Sequence, residues 1–153
     1  MGLAWSLDGS QIVISTTEGS RPLEMWNTAD GTHQKLTVGG DAPRVDWLPD
    51  GTKLVVGNSH ALSSLEIATG ALQKYQVWVN DPLAWSADRR LLAYKGGDKK
   101  IAILNVEDGT LMQRLHKDTS GLTALCWAPD GRHLAAGFRD EKTVSIWSLD
   151  PEA

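Results

Sequence analysis

Leu125-Cys126-Trp127-Ala128-Pro129-Asp130-Gly131 carries a short apolar run through a Trp into a tight turn, and the chain writes that phrase four times. The other versions are Leu3-Ala4-Trp5-Ser6-Leu7-Asp8-Gly9, Val45-Asp46-Trp47-Leu48-Pro49-Asp50-Gly51 and Leu83-Ala84-Trp85-Ser86-Ala87-Asp88-Arg89. The four Trp residues stand 42, 38 and 42 positions apart, while Gly31, Gly70 and Gly109 recur at intervals of 39. A period of this length marks stacked structural units, each too small to bury its own apolar face.

The units resolve into strands by two-residue alternation. In the last one, Leu125 and Trp127 alternate with Ala124, Cys126 and Ala128 in a first strand. Pro129-Asp130-Gly131 then turns the chain: Pro presets φ, Asp bonds its own backbone, and Gly accepts positive φ. Second strands follow at Ile12-Val13-Ile14, Leu54-Val55-Val56, Leu91-Leu92-Ala93 and 133–137, and third strands at 23–26, 62–65, 101–104 and 143–147. Turns at Ala29-Asp30-Gly31, Ala68-Thr69-Gly70 and Glu107-Asp108-Gly109 lead to fourth strands at 34–38, 72–77 and 111–115. Such short runs, each closed by turn residues, predict antiparallel meanders and almost no helix.

The stretch from Leu125 to Gly137, followed by Lys142-Thr143-Val144-Ser145-Ile146-Trp147, resembles a WD40 repeat, and in degenerate form the resemblance covers essentially the whole chain. It implies an all-β fold, a β-propeller of about four blades, each an antiparallel four-stranded sheet. The Gly-His dipeptide usual before the first strand is missing from every unit, with Lys117-Asp118 in its place in the last. The closing Trp-Asp pair survives only as Trp26-Asn27 and Trp147-Ser148. The repeats run approximately 3–44, 45–82, 83–124 and 125–153 as one half-propeller module, the last blade lacking its outer strand.

Propellers close with about 4–8 blades, and unclosed blades leave apolar faces and a strand edge in water. Two compatible outcomes follow. The chain is part of a longer polypeptide whose adjacent blades cover it, or copies associate as a homo-oligomer, for example two halves in an eight-bladed ring.

Composition fits an ordered domain: 153 residues, 41% hydrophobic and 22% charged. The net charge of −4 argues against a nucleic-acid partner. A single Cys excludes an internal disulfide framework and a multi-Cys metal site and suits a reducing compartment. No apolar run nears the roughly 18 residues of a membrane span. Repeat material begins at Leu3, so no signal peptide and a cytoplasmic location are expected.

Chemistry is hard to find. His33, His60, His116 and His133 fall in different repeat phases with no metal-ligand spacing, so neither a metal nor another cofactor is expected. Cys126, between Leu125 and Trp127, reads as a packed small side chain. The recurring Asp-Gly pairs read as turn formers, and no G-x-S-x-G elbow or phosphate cradle occurs. An enzyme is therefore not expected. The alternative, a small-molecule-binding or hydrolase-type propeller, needs acidic or His residues at equivalent inner-strand positions. One such phase offers only Ala4, Asp46, Ala84 and Cys126.

The expected role is a non-catalytic scaffold whose loops bind a protein or peptide. The resemblance implies that the loops entering the first strand and joining the second to the third open on one rim. That rim would gather Arg21, Asp41, Arg44, His60, Asn80, Asp81, Lys95, Asp98, Lys99, Asp118, Arg139 and Asp140, a mixed-charge set suited to a protein ligand. Trp78, in Val77-Trp78-Val79-Asn80, lies off the repeated Trp phase, as packing beneath the shortened connection or as an exposed anchor.

Overall fold

A computed structural model describes residues 2–15, 23–36, 38, 44–57, 61–75, 77, 79–139 and 142–149. The first sheet holds β1 (Gly2–Trp5), β2 (Gln11–Ser15), β3 (Leu23–Asn27) and β4 (His33–Leu36). The second holds β5 (Arg44–Trp47), β6 (Lys53–Gly57), β7 (Leu62–Glu66) and β8 (Leu72–Tyr75). The third holds β9 (Asn80–Trp85), β10 (Leu91–Lys95), β11 (Ile101–Asn105) and β12 (Leu111–Leu115). The fourth has three strands, β13 (Leu122–Trp127), β14 (His133–Phe138) and β15 (Val144–Ser148). Every pairing is antiparallel between sequence neighbours, and the described residues contain no helix. These sheets are consistent with a partial β-propeller, the fourth having three strands among the described residues.

Details depart from the sequence reading. The outer strands β4 and β8 stop at Leu36 and Tyr75, short of the expected 38 and 77. β9 starts at Asn80 rather than near Leu83, because a register shift at Tyr94/Lys95 lets Asn80 pair with Lys95. Asn80, expected in a loop, therefore has strand backbone.

The chain divides into two compact units, Met1–Val77 and Trp78–Ala153, each containing two sheets. In the first unit, Val13, Leu23 and Met25 share a core with Val45, Trp47, Leu54 and Val56 of the second sheet. Strand alternation explains the choice: Leu54 and Val56 flank Val55 and point to the face opposite it. The Trp47 indole N–H crosses between the sheets and donates to the Ala4 carbonyl at 3.3 Å. The second unit repeats the arrangement. Ala93, Ile101 and Ile103 pack with Trp127, Leu134, Ala136 and Phe138, and the Trp127 indole donates to the Ala84 carbonyl at 3.1 Å. Ala4 and Ala84 each precede the repeat Trp of their own sheet, so one contact is written twice.

The turns follow one chemistry. Between first and second strands, Asp8, Asp50, Asp88 and Asp130 accept the backbone N–H two residues on, at 3.0, 2.9, 3.1 and 2.8 Å. The next residue has positive φ, at Gly9, Gly51 and Gly131 and also at Arg89 (57°). Asp30 and Asp108 make the same bond to Thr32 and Thr110 at the other turns, both at 2.9 Å. These carboxylates are committed to turns.

Candidate protein-binding rim of the second unit

Three connections of the second unit are tied together by backbone hydrogen bonds. The turn between β10 and β11 contains Asp98 and Lys99, and the Lys99 carbonyl accepts the Thr119 N–H at 3.0 Å. Thr119 belongs to the β12–β13 connection, as does Gly121, whose carbonyl accepts the Arg139 N–H at 2.8 Å. Arg139 opens the β14–β15 connection. Loops held by main-chain bonds present side chains at low entropic cost on binding.

Charge on this rim is mixed. Asp98 accepts a hydrogen bond from the Arg114 guanidinium of β12 and from the Lys100 N–H at 3.3 Å. Burial alone would raise its pKa, but the Arg114 bond and charge outweigh it and hold the carboxyl below its usual value. Asp118 is also lowered, first by the Ser120 hydroxyl and then by the Ser120 N–H, with Lys99 and Lys95 adding positive charge. Its Oδ1 accepts both Ser120 bonds at 2.7 Å. Lys117 donates to Ser145 Oγ at 2.8 Å and lies 4.3 Å over the Phe138 ring, anchoring the connection to β14 and β15. Lys99 and Arg139 are exposed beside these anchors.

Of the residues singled out from sequence, Asp98, Lys99 and Arg139 thus stand on linked loops. Arg44 is half-buried at the start of β5 in the first unit, and Asn80 opens β9. Arg21, Asp41, His60, Trp78 and Asp140 lie outside the described residues. Asp118, expected on the rim, lies on the β12–β13 connection of this linked set, whereas Arg114 and Lys117 were not among the candidates. Strand register was the missing signal: pairing Arg114 with Ala102 brings its long side chain near the β10–β11 turn.

The remaining chemical groups find structural surroundings. His33 stacks on Trp26 with ring centroids 4.2 Å apart, and His133 Nδ1 sits 2.7 Å from the Asp130 carboxylate within a turn. Cys126 corrects an expectation: it is exposed, because strand alternation turns it to the face opposite Trp127, and the Trp127 face is the one packed on the core of this unit. Among the described residues, no three His, Cys, Asp or Glu side chains could hold a metal ion. No helix among them is long and apolar enough to cross a membrane. A groove of about 280 Å³ lies toward the other turns of this unit, floored by Leu91, Ile103, Trp127 and Leu149 and bordered by Arg90 and Glu107. It falls just below the usual 300–1,000 Å³ of small-molecule sites.

Residues 109–148 match the family model "WD domain, G-beta repeat". The match begins just before β12 and ends with β15, joining the outer strand of one sheet to the three strands of the next. THO complex subunit 3 of Arabidopsis thaliana is 25% identical over 152 residues, covering 96% of this chain and 47% of the relative. Polycomb protein EED of Chaetomium thermophilum is 32% identical over 75 residues, 49% of this chain and 13% of the relative. Protein FIZZY-RELATED 3 of Arabidopsis thaliana is 25% identical over 154 residues, 94% of this chain and 31% of the relative. The chain therefore spans about half, or less, of the length of these curated relatives. The repeat match lies on the fourth sheet and the outer strand of the third, and the same strand–Trp–turn pattern recurs in all four sheets, so the chain carries a WD40-type repeat and is similar along nearly its whole length to the relatives above.

Proposed function

We propose that the chain is a non-catalytic protein-interaction scaffold, whose rim loops bind a protein or peptide and whose uncovered sheet faces are completed by self-association or by adjacent blades of a longer chain. The observation that carries the first part is the hydrogen-bonded set of connections bearing Asp98, Lys99 and Arg139. It offers a rigid surface of mixed charge. One relative is by name a subunit of a complex, which supports partners of protein chemistry. The four repeats act as one module in this reading, in the cytoplasm, without nucleic acid or cofactor. Arg21, Arg44, His60, Trp78, Asn80 and Asp140 belong to the proposed binding set.

The test compares proteins cross-linked to the wild-type chain in cell extract with those cross-linked to a K99E/R139E double variant. Specific proteins held by the first and lost from the second are expected. Identical capture by both chains overturns the rim reading.

A further inference from the structure

The mixed charge of the second unit's rim is not balanced, and its excess is opposite in sign to the chain's net −4. Lys95, Lys99 and Lys100 gather at the β10–β11 turn against one carboxylate, Asp98. The end of β12 and the connection beyond it bring Arg114 and Lys117 against Asp118. These carboxylates are already engaged. Asp98 accepts from the Arg114 guanidinium, and Asp118 accepts the Ser120 N–H and hydroxyl. Asp81, second in β9, has a partner as well.

The cations divide into held and free. Arg114 spends its charge on Asp98, and Lys117 is fixed between Ser145 and the Phe138 ring. Lys99 and Arg139 are exposed and enter no ion pair among the described residues. Main-chain bonds fix where these two stand. The Lys99 carbonyl accepts the Thr119 N–H, and the Gly121 carbonyl accepts the Arg139 N–H, so the pair flanks one three-residue segment. The Thr119 and Gly121 Cα atoms lie at most about 7 Å apart, by the reach of the chain. Long side chains from both ends of so short a segment converge on a ligand that lies along it. A negative charge is already favoured there: after the Ser120 hydroxyl and N–H, Lys99 and Lys95 lower the Asp118 carboxyl further.

We propose, resting on the rim reading above, that the protein partner of this surface presents an acidic segment whose carboxylates are taken by Lys99 and Arg139 on either side of Thr119–Gly121. Exposed charges of this kind govern steering and specificity more than affinity, and salt screens them.

The experiment is fluorescence polarisation of the 153-residue chain with a labelled decapeptide of alternating Glu and Ala, beside counterparts carrying Gln or Lys in place of Glu. The Glu peptide is expected to bind on the order of tenfold tighter than the Gln peptide at about 50 mM salt, and to lose most of that margin at about 0.5 M. The K99E/R139E chain, its thermal melt matched to wild type, takes the Lys peptide in preference to the Glu peptide. A folding defect weakens binding but does not reverse its order.

Equal binding of the Glu and Gln peptides to wild type overturns the acidic partner. If proteins in cell extract are still lost from K99E/R139E, the rim reading stands without it, and identical capture by both chains overturns the two together. A preference for the Glu peptide that persists in K99E/R139E places the acidic ligand elsewhere and overturns the assignment to these residues. An oligo-dT that competes with the Glu peptide on equal terms at about 0.15 M salt makes the surface a general polyanion site and overturns a protein carboxylate as its ligand.

Discussion

Trp47 and Trp5 occupy one repeat position in consecutive sheets, opposite Leu54 and Ile12, yet Trp47 is 1% exposed and Trp5 50%. Strand alternation sends both indoles to the same side of their sheets. Trp47 has the first sheet packed against it, and Trp5 stays half exposed. A repeat sets the direction of a side chain, and the neighbouring unit sets its burial.

The sharpest way to break that comparison is to remove the two kinds of Trp. Trp47→Ala and Trp127→Ala each delete a large side chain from a two-sheet core and leave an interior carbonyl without its indole donor. A loss of about 3–5 kcal/mol is expected for each. Trp5→Ala, measured where the chain is dilute, changes stability by less than about 1 kcal/mol. Urea unfolding of the three variants reads the difference. Equal losses at Trp5 and Trp47 would show that repeat position alone governs stability.

The third strands give a smaller version of the contrast. Ile103 lies in the core of the second unit and Ile146 at the same phase is exposed. Ile103→Ala should cost about 2–4 kcal/mol, and Ile146→Ala about 0.5 kcal/mol or less in dilute solution. Thermal melts of the pair at one concentration are sufficient. A large loss from Ile146→Ala in the dilute chain would mean that the bare face is covered within one copy.

The same distinction explains what could be read before the structure. The four Trp-turn phrases and the Asp-Gly beat gave the meanders, because alternation and turn chemistry are local properties of the chain. Cys126 was misjudged because its flanking residues say "strand" and its small size says "core", while which face of the strand is packed is set by a partner far along the chain. The commitment of Asp8, Asp50 and Asp130 to turns was legible from their recurrence at one phase. The Arg114–Asp98 pair was not, since sixteen residues separate the partners and only the β11–β12 register brings them together. For the rim, sequence supplied residue types at loop positions. The bonds from Thr119 to Lys99 and from Arg139 to Gly121 needed three-dimensional knowledge of which loops adjoin.

Turn positions extend the comparison to backbone strain. Gly131 and Arg89 follow equivalent Asp residues and both have positive φ, at 67° and 57°. The left-handed region costs a residue with a Cβ roughly 1–2 kcal/mol, offset in part by the unfolded-state entropy of Gly. Arg89→Gly should therefore stabilise the chain by up to about 1 kcal/mol. Gly131→Ala should destabilise it by about 1 kcal/mol, although nothing lies within 4 Å of the added Cβ. Chemical denaturation of both variants checks the opposite signs. A neutral Gly131→Ala would break the equivalence.

The smallest effect separates Ser-bearing turns from Pro-bearing ones. In the first sheet, Asp8 accepts the Ser6 hydroxyl at 2.6 Å and both the N–H and the hydroxyl of Ser10 at 3.0 and 2.8 Å. Together, with Ser6 foremost, they lower the Asp8 pKa to about 2. In the fourth sheet, Pro129 stands between Ala128 and Asp130, so no hydroxyl occupies the place of Ser6. There the Arg132 N–H and then His133 lower the Asp130 pKa. A carboxyl with a folded pKa below its unfolded value stabilises the fold above the unfolded value, and that contribution fades as pH falls through the folded one. The Asp8 turn should therefore hold its bonds until pH nears 2. Carboxyl NMR titration should give Asp8 a midpoint near that value in the wild-type chain and a higher one in Ser6→Ala, with Asp130 unmoved. An unchanged Asp8 midpoint in Ser6→Ala would assign the shift to Ser10 and remove the distinction between the two kinds of turn.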